Sequence, residues 1–165
     1  MSSQSTTTMD GEFKRLKNIQ MNALDENIMA FLEATQKSVQ SRGICNPRGP
    51  FKRSLIHYAA MGDCTELLLR LLDIGAPIDD RDQNKRTPLS WAAEYGSYNA
   101  TRILVENGAQ VNALDDMYGT PLSWLEHAGR PDCKGLPVTK AYLKKNGATM
   151  KGAKRAWILQ KLGLL

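Results

Sequence analysis

Histidine and cysteine are scarce in this chain, and the sites they would build are missing with them. There are two histidines, His57 and His127, and three cysteines, Cys45, Cys64 and Cys133. An odd number of thiols at irregular spacing argues against a disulfide framework and for reduced side chains. No CxxC or HExxH pair offers zinc a site, and no GxxxxGK or GxGxxG loop offers one to phosphate. Glu126 and His127 are adjacent, and adjacent residues on a helix point in different directions, so they make no acid-base pair. No catalytic constellation, cofactor or metal is therefore expected. Long apolar runs are missing too. The most apolar stretch is broken by Arg70 and Asp73, and the opening MSSQSTTTMDGEFKRLK has no apolar core. Neither a membrane span nor a signal peptide is expected, and the predicted location is intracellular, cytoplasmic or nuclear.

Charge is present but uneven. The net charge of +5 divides into +3 over residues 1–53, −6 over 54–129 and +8 over 130–165. A nucleic-acid binder gathers its basic groups on one face, so only the C-terminal end is a candidate to meet phosphate; a solvated basic end is the plainer reading.

What the sequence has in quantity is a period. TPLSW at residues 87–91 returns at 120–124, a spacing of 33. Ala92-Ala93 matches Ala59-Ala60, and Gly108-Ala109 matches Gly75-Ala76, at the same distance. A period of this size marks a stack of small units rather than one globular core. The TPLxxA pattern followed by Gly-Ala resembles the ankyrin repeat, most closely over residues 87–109, and the resemblance runs over about 52–150. The wording TPLSWAAEYG is similar to ankyrin repeats common in filamentous fungi. The fold implied is an all-α solenoid of helix-turn-helix units with short β-hairpin loops and helical caps at both ends. The expected units are 51–83, 84–116 and 117–150.

Within that frame Thr87 caps a helix that Pro88 opens, Gly96 ends it, and a second helix runs from about Asn99 to Glu106. Gly75 and Gly108 stand where a helix end needs positive φ. Leu71, Leu104 and Leu143, each four residues before its repeat's glycine, are predicted to form a shared spine. Ile78, Val111 and Met150 are expected to anchor the loops inward. In the family the histidine at the position of His57 ties neighbouring loops together through backbone hydrogen bonds. Lys85 and Tyr118 stand where the family has a turn glycine, so these turns are expected to depart from the usual shape. Residues 130–137 are read as an insertion between the third pair of helices.

The flanks are less regular. Residues 1–10, rich in Ser and Thr, are expected to be disordered. Residues 11–40 have helical potential, with Leu24, Ile28, Phe31 and Leu32 on one stripe and Asp25 as a candidate N-cap; they form either a degenerate repeat or a plain helical cap, followed by a loop to residue 50. Residues 151–165 read as a basic capping helix.

Tyr58, Trp91 and Trp124 share one repeat position, where the family has leucine, so they are either packing between repeats or an aromatic ladder partly open to the groove. Met61, Glu94, Tyr95 and His127 are expected on the helix face that the resemblance points outward, and Asp80, Asp116 and Tyr118 on the loops. Asp80, Asp116 and Glu94 would make that face acidic. Asp82 and Asp115 are weaker candidates, because the family often uses that position for the turn itself. The resemblance implies a scaffold or adaptor that binds a protein, of basic or mixed-charge surface, in the concave groove. A transcription or chromatin co-regulator using the basic C-terminus is a second reading. A small-molecule binder or atypical enzyme with a pocket near Trp91 and Trp124 is a third. On the first reading, Trp91→Ala combined with Asp80→Lys is expected to abolish capture and leave the helices intact.

Overall fold

A computed structural model describes residues 3–21, 26–40, 47–128, 135–150 and 162. The expected basic helix at 151–165 and residues 130–134 of the insertion lie outside the described residues, apart from Leu162, which is exposed. Eight helices follow in order: α1 Ser3–Met21, α2 Glu26–Gln40, α3 Leu55–Met61, α4 Thr65–Asp73, α5 Pro88–Tyr95, α6 Tyr98–Glu106, α7 Pro121–His127 and α8 Leu136–Lys145.

The first helices of the three pairs, α3, α5 and α7, stack most extensively on one another, and the second helices α4, α6 and α8 form a looser parallel row. Small side chains allow the close approach: Ala59, Ala60, Ala92 and Ala93 are all fully buried. Leu71, Leu104 and Leu143 run through the second helices as expected, at 3%, 0% and 0% exposure. One apolar core continues from Phe13 in α1 to Leu143 in α8, with Ile78 and Val111 packed against it.

Local chemistry sets the helix ends. Thr87 and Thr120 accept the backbone N–H groups of Ser90 and Ser123, and proline opens each of those helices. Gly96, Gly75, Gly108 and Gly147 all take positive φ at helix ends. Gly96 has a further reason to be glycine. The start of α8 lies directly on it: a Cβ on Gly96 would lie 3.1 Å from Leu136 N, and Gly135 on the other side of the contact is closer still, its Cβ falling 2.0 Å from the Gly96 carbonyl oxygen. Carboxylates from the preceding unit cap the second helices. Asp63 accepts from Ala100 N at 2.7 Å, and Glu12 of α1 accepts from Leu67 N at 2.6 Å, one period earlier.

Three features differ from expectation. The helix α1 begins at Ser3, inside the stretch read as disordered. Its later turns are anchored: Phe13 and Leu16 are buried, and Glu12 serves α4. Among the described residues there is no strand, so the expected β-hairpin loops are single tight turns, each closed by two backbone bonds, such as Asp82 N–H to Arg86 O and Lys85 N–H to Asp82 O. These turns also keep their left-handed shape without glycine. Lys52, Lys85 and Tyr118, spaced by 33, have φ of 54°, 58° and 58°, at a cost of about 1–2 kcal/mol each. The aspartate of each later turn offsets that cost: Asp82 accepts Asn84 N and Arg86 N, and Asp115 accepts Met117 N and Gly119 N.

At the N-terminal end α1 packs on α4, and Phe31 of α2 meets Tyr58 at 5.5 Å between ring centroids. Ile28 and Leu32 of the predicted stripe are buried. Leu24 and Asp25 lie outside the described residues. In the insertion, Leu136 and Pro137 belong to α8 rather than to the loop.

Candidate functional site

The loops before the first helices, here called fingers, span 47–53, 79–86 and 112–119. They are joined by contacts that repeat at the period. Gln83 N donates to Phe51 O, and Asp116 N to Asn84 O. Arg48 donates to the carbonyls of Lys52 and Arg81, and Arg81 does the same to Lys85 and Leu114. The series ends at Leu114, which replaces the arginine.

Behind the fingers a second periodic series runs through the stack. Arg53 lies over Phe51 and over Trp91, at 4.8 and 4.0 Å from the ring centroids. Arg86 lies between Trp91 and Trp124, at 3.6 and 3.9 Å. Ring and guanidinium therefore alternate: Phe51, Arg53, Trp91, Arg86, Trp124. Carboxylates fix the edges of the column. Trp91 Nε1 donates to Asp82 at 3.0 Å, and Trp124 Nε1 to Asp115 at 2.5 Å. Arg53 pairs with Asp82 at 3.7 Å, and Arg86 with Glu94 at 2.5 Å. Burial pulls the Arg86 pKa down and Glu94 opposes it. Each such stack is worth about 0.5–2 kcal/mol, towards the upper end when desolvated.

This arrangement corrects several site expectations. Tyr58 and Met61 are buried at 0% and 3% exposure, and Trp91 at 7%, so none lines an open groove. Asp80 is buried as well. It pairs with Arg48 at 2.6 Å and accepts from Ser54 Oγ and from Arg81 N. Glu94 is half-buried and neutralised by Arg86. Of the three acids expected to make the face acidic, only Asp116 stands exposed. The double change Trp91→Ala with Asp80→Lys would therefore strike the interior. Trp124 and Tyr95 are half-buried, Tyr95 tilting on Trp91 at 6.2 Å, while Tyr118 and His127 are exposed. The gap between Trp91 and Trp124, where a pocket was the third reading's requirement, is filled by Arg86.

His57 takes the part the resemblance implied. Its Nε2 faces the carbonyls of Asp80 and Arg86 at 3.2 and 3.3 Å, and its Nδ1 faces Ser54 N and Oγ. Burial lowers its pKa, and the charges of Asp80 and Asp82 only partly oppose that. The folded state thus binds fewer protons than the unfolded chain as the pH falls through the ordinary histidine value of about 6.5. Unfolding free energy is expected to be level above about pH 7 and to decline below about 6.5. Urea titrations of the wild type and of His57→Gln check this, and the variant is expected to lose that part of the slope.

Sequence reasoning placed Asp116 and Tyr118 of the third finger among the candidates; what it missed there is the exposed Leu114. Leu114, Met117 and Tyr118 are 42%, 74% and 39% exposed, beside exposed Asp116. Alignment at the period held the signal: the equivalents of Leu114 are Arg48 and Arg81, and those of Met117 are Phe51 and Asn84. The first finger also exposes Phe51, at 47%.

The family description "Ankyrin repeats (3 copies)" matches residues 21–115, more than half of the chain. The chain belongs to the ankyrin repeat family. The match takes in α2 and stops before α7, while the cap, turn and indole-carboxylate geometry of the ankyrin units continues into α7. A search of curated proteins returns no matching relative. Ankyrin repeats generally mediate protein-protein interactions and are typically not enzymes. None of the described helices is long and apolar enough to cross a membrane.

Proposed function

We propose that this chain is a protein-binding adaptor that holds its partner on the side formed by the fingers and first helices, with the third finger as the principal contact. The observation that carries this is the exposure of Leu114, Met117 and Tyr118 together on one finger. The stack does not need them there: the turn beneath is held by Asp115 and by backbone bonds. Exposed apolar and aromatic side chains grouped in this way favour a partner surface over solvent. Asp116 adds a single negative charge, so the partner is of mixed rather than strongly basic character.

The test is capture from native cell extract by the wild type, by Asp116→Lys with Met117→Ser, and by Leu69→Ser on α4 as a control. Leu69 is 45% exposed on the row of second helices. The finger variant is expected to lose at least tenfold of the captured partner with unchanged helical circular dichroism, and the control to retain it. Equal capture by all three would sink the proposal.

A further inference from the structure

The column of rings and guanidinium groups ends, among the described residues, one guanidinium short in the third repeat. Arginines supply it at 53 and 86, and the next position in that series, one period on, is Gly119. The chain cannot place a side chain there without rearrangement: a Cβ on Gly119 would lie 2.7 Å from Trp124 Nε1 and 2.8 Å from Asp115 Oδ2. Trp91 has a guanidinium on each face and is 7% exposed. Trp124 has Arg86 on one face, among the described residues no cation on the other, and it is half-buried.

The Trp124 ring is nevertheless fixed at its edge in the same way as its neighbour. Asp115 binds its Nε1 and is itself fixed by Met117 N and Gly119 N. A fixed indole flanked by a carboxylate is a ready platform for a planar cation, since little ordering cost remains. We propose that the second face of Trp124 binds an arginine side chain of the partner protein, which adds the next guanidinium to the column. Arginine rather than lysine is the occupant, because the column stacks a planar group at each step and guanidinium is less strongly hydrated than ammonium. Asp116, exposed on the same finger, supplies complementary charge. This rests on the reading that the finger side is the binding face, and it names the chemistry recognised there.

The experiment is an NMR titration of the full chain, following the indole N–H and ring signals of Trp91 and Trp124. The probes are N-acetyl-arginine methylamide and its citrulline counterpart, which has nearly the same shape and no charge. The arginine probe is expected to shift Trp124 saturably and leave Trp91 in place, with citrulline binding about 3- to 30-fold more weakly. No saturable shift of Trp124, equal affinity for citrulline, or a shift of Trp91 as large as that of Trp124 would overturn the proposal. So would a Trp124 signal that ignores the probe and moves only on Arg155→Gln, at the one arginine of residues 151–165, which would give the site to the chain's own basic end. A partner captured through the third finger but indifferent to arginine would overturn this proposal while leaving the adaptor reading in place.

Discussion

Replacing Asp82 with alanine is expected to lower the unfolding free energy by about 3–5 kcal/mol, the cost of removing one partner from a buried charged network. Asp82 is 6% exposed and gathers four groups: the backbone N–H groups of Asn84 and Arg86, the indole N–H of Trp91, and the Arg53 guanidinium. Its loss leaves the half-buried Arg53 guanidinium facing no anion and three donors without their acceptor. It also frees a turn whose Lys85 is held at positive φ. Asn at this position keeps an acceptor but no charge, so Asp82→Asn is expected to cost about 1.5–3 kcal/mol, the worth of hydrogen bonds to a charged group. Urea denaturation followed by circular dichroism measures both. Equal stability of Asp82→Ala and the wild type would show that the column contributes nothing to joining the repeats.

Leu104→Ala is expected to cost about 2–5 kcal/mol, which for a chain of this size lowers the melting temperature by roughly 4–20 °C. Leu104 is fully buried in α6, between α4 and α8 in the row of second helices. The backbone around it cannot close the cavity, because Gly108 and Asn107 end the helix in a fixed geometry and Ala109 N bonds back to Leu104 O. Leu69→Ala, at 45% exposure, is expected to stay within about 0.5 kcal/mol of the wild type. The contrast between two leucines on equivalent second helices separates burial from residue type.

The architecture was readable from residues 87–109 and their counterparts one period away, because repetition marks equivalent positions and equivalent positions fold alike. Thr87, Pro88, Gly96, Leu104 and Gly108 all stand where the period placed them, and His57 bonds the loops as the resemblance implied. The candidate site was less readable, for a physical reason. A period says which residues are alike and says nothing about which long side chain fills the space between two of them. Asp80 looked free, and Arg48, 32 residues earlier, buries and neutralises it. Trp91 and Trp124 read as either packing between repeats or a ladder partly open to a groove, and Arg86 fills the gap between them. The arginine series at 53 and 86 and the tryptophan series at 91 and 124 were both visible, but their interleaving depends on three-dimensional stacking. The turns kept their shape without glycine because aspartate carboxylates hold them, a compensation that a residue-by-residue comparison with a consensus overlooks.

The exposed third finger also explains why the middle repeat, the most regular copy, is the less telling one for binding. Regularity there serves the stack: Trp91 is enclosed and Glu94 is paired. Departure from the pattern leaves Leu114 and Met117 exposed and puts a glycine where the column has arginine, and on the proposed reading these are the features that a partner meets.

Hydrogen exchange of the chain, free and with its captured partner, tests most directly whether binding falls on the finger side. The account predicts slowed exchange in residues 112–127, with a smaller effect in 79–86, and no change in the second helices at 65–73 and 98–106. Protection confined to those second helices would contradict it.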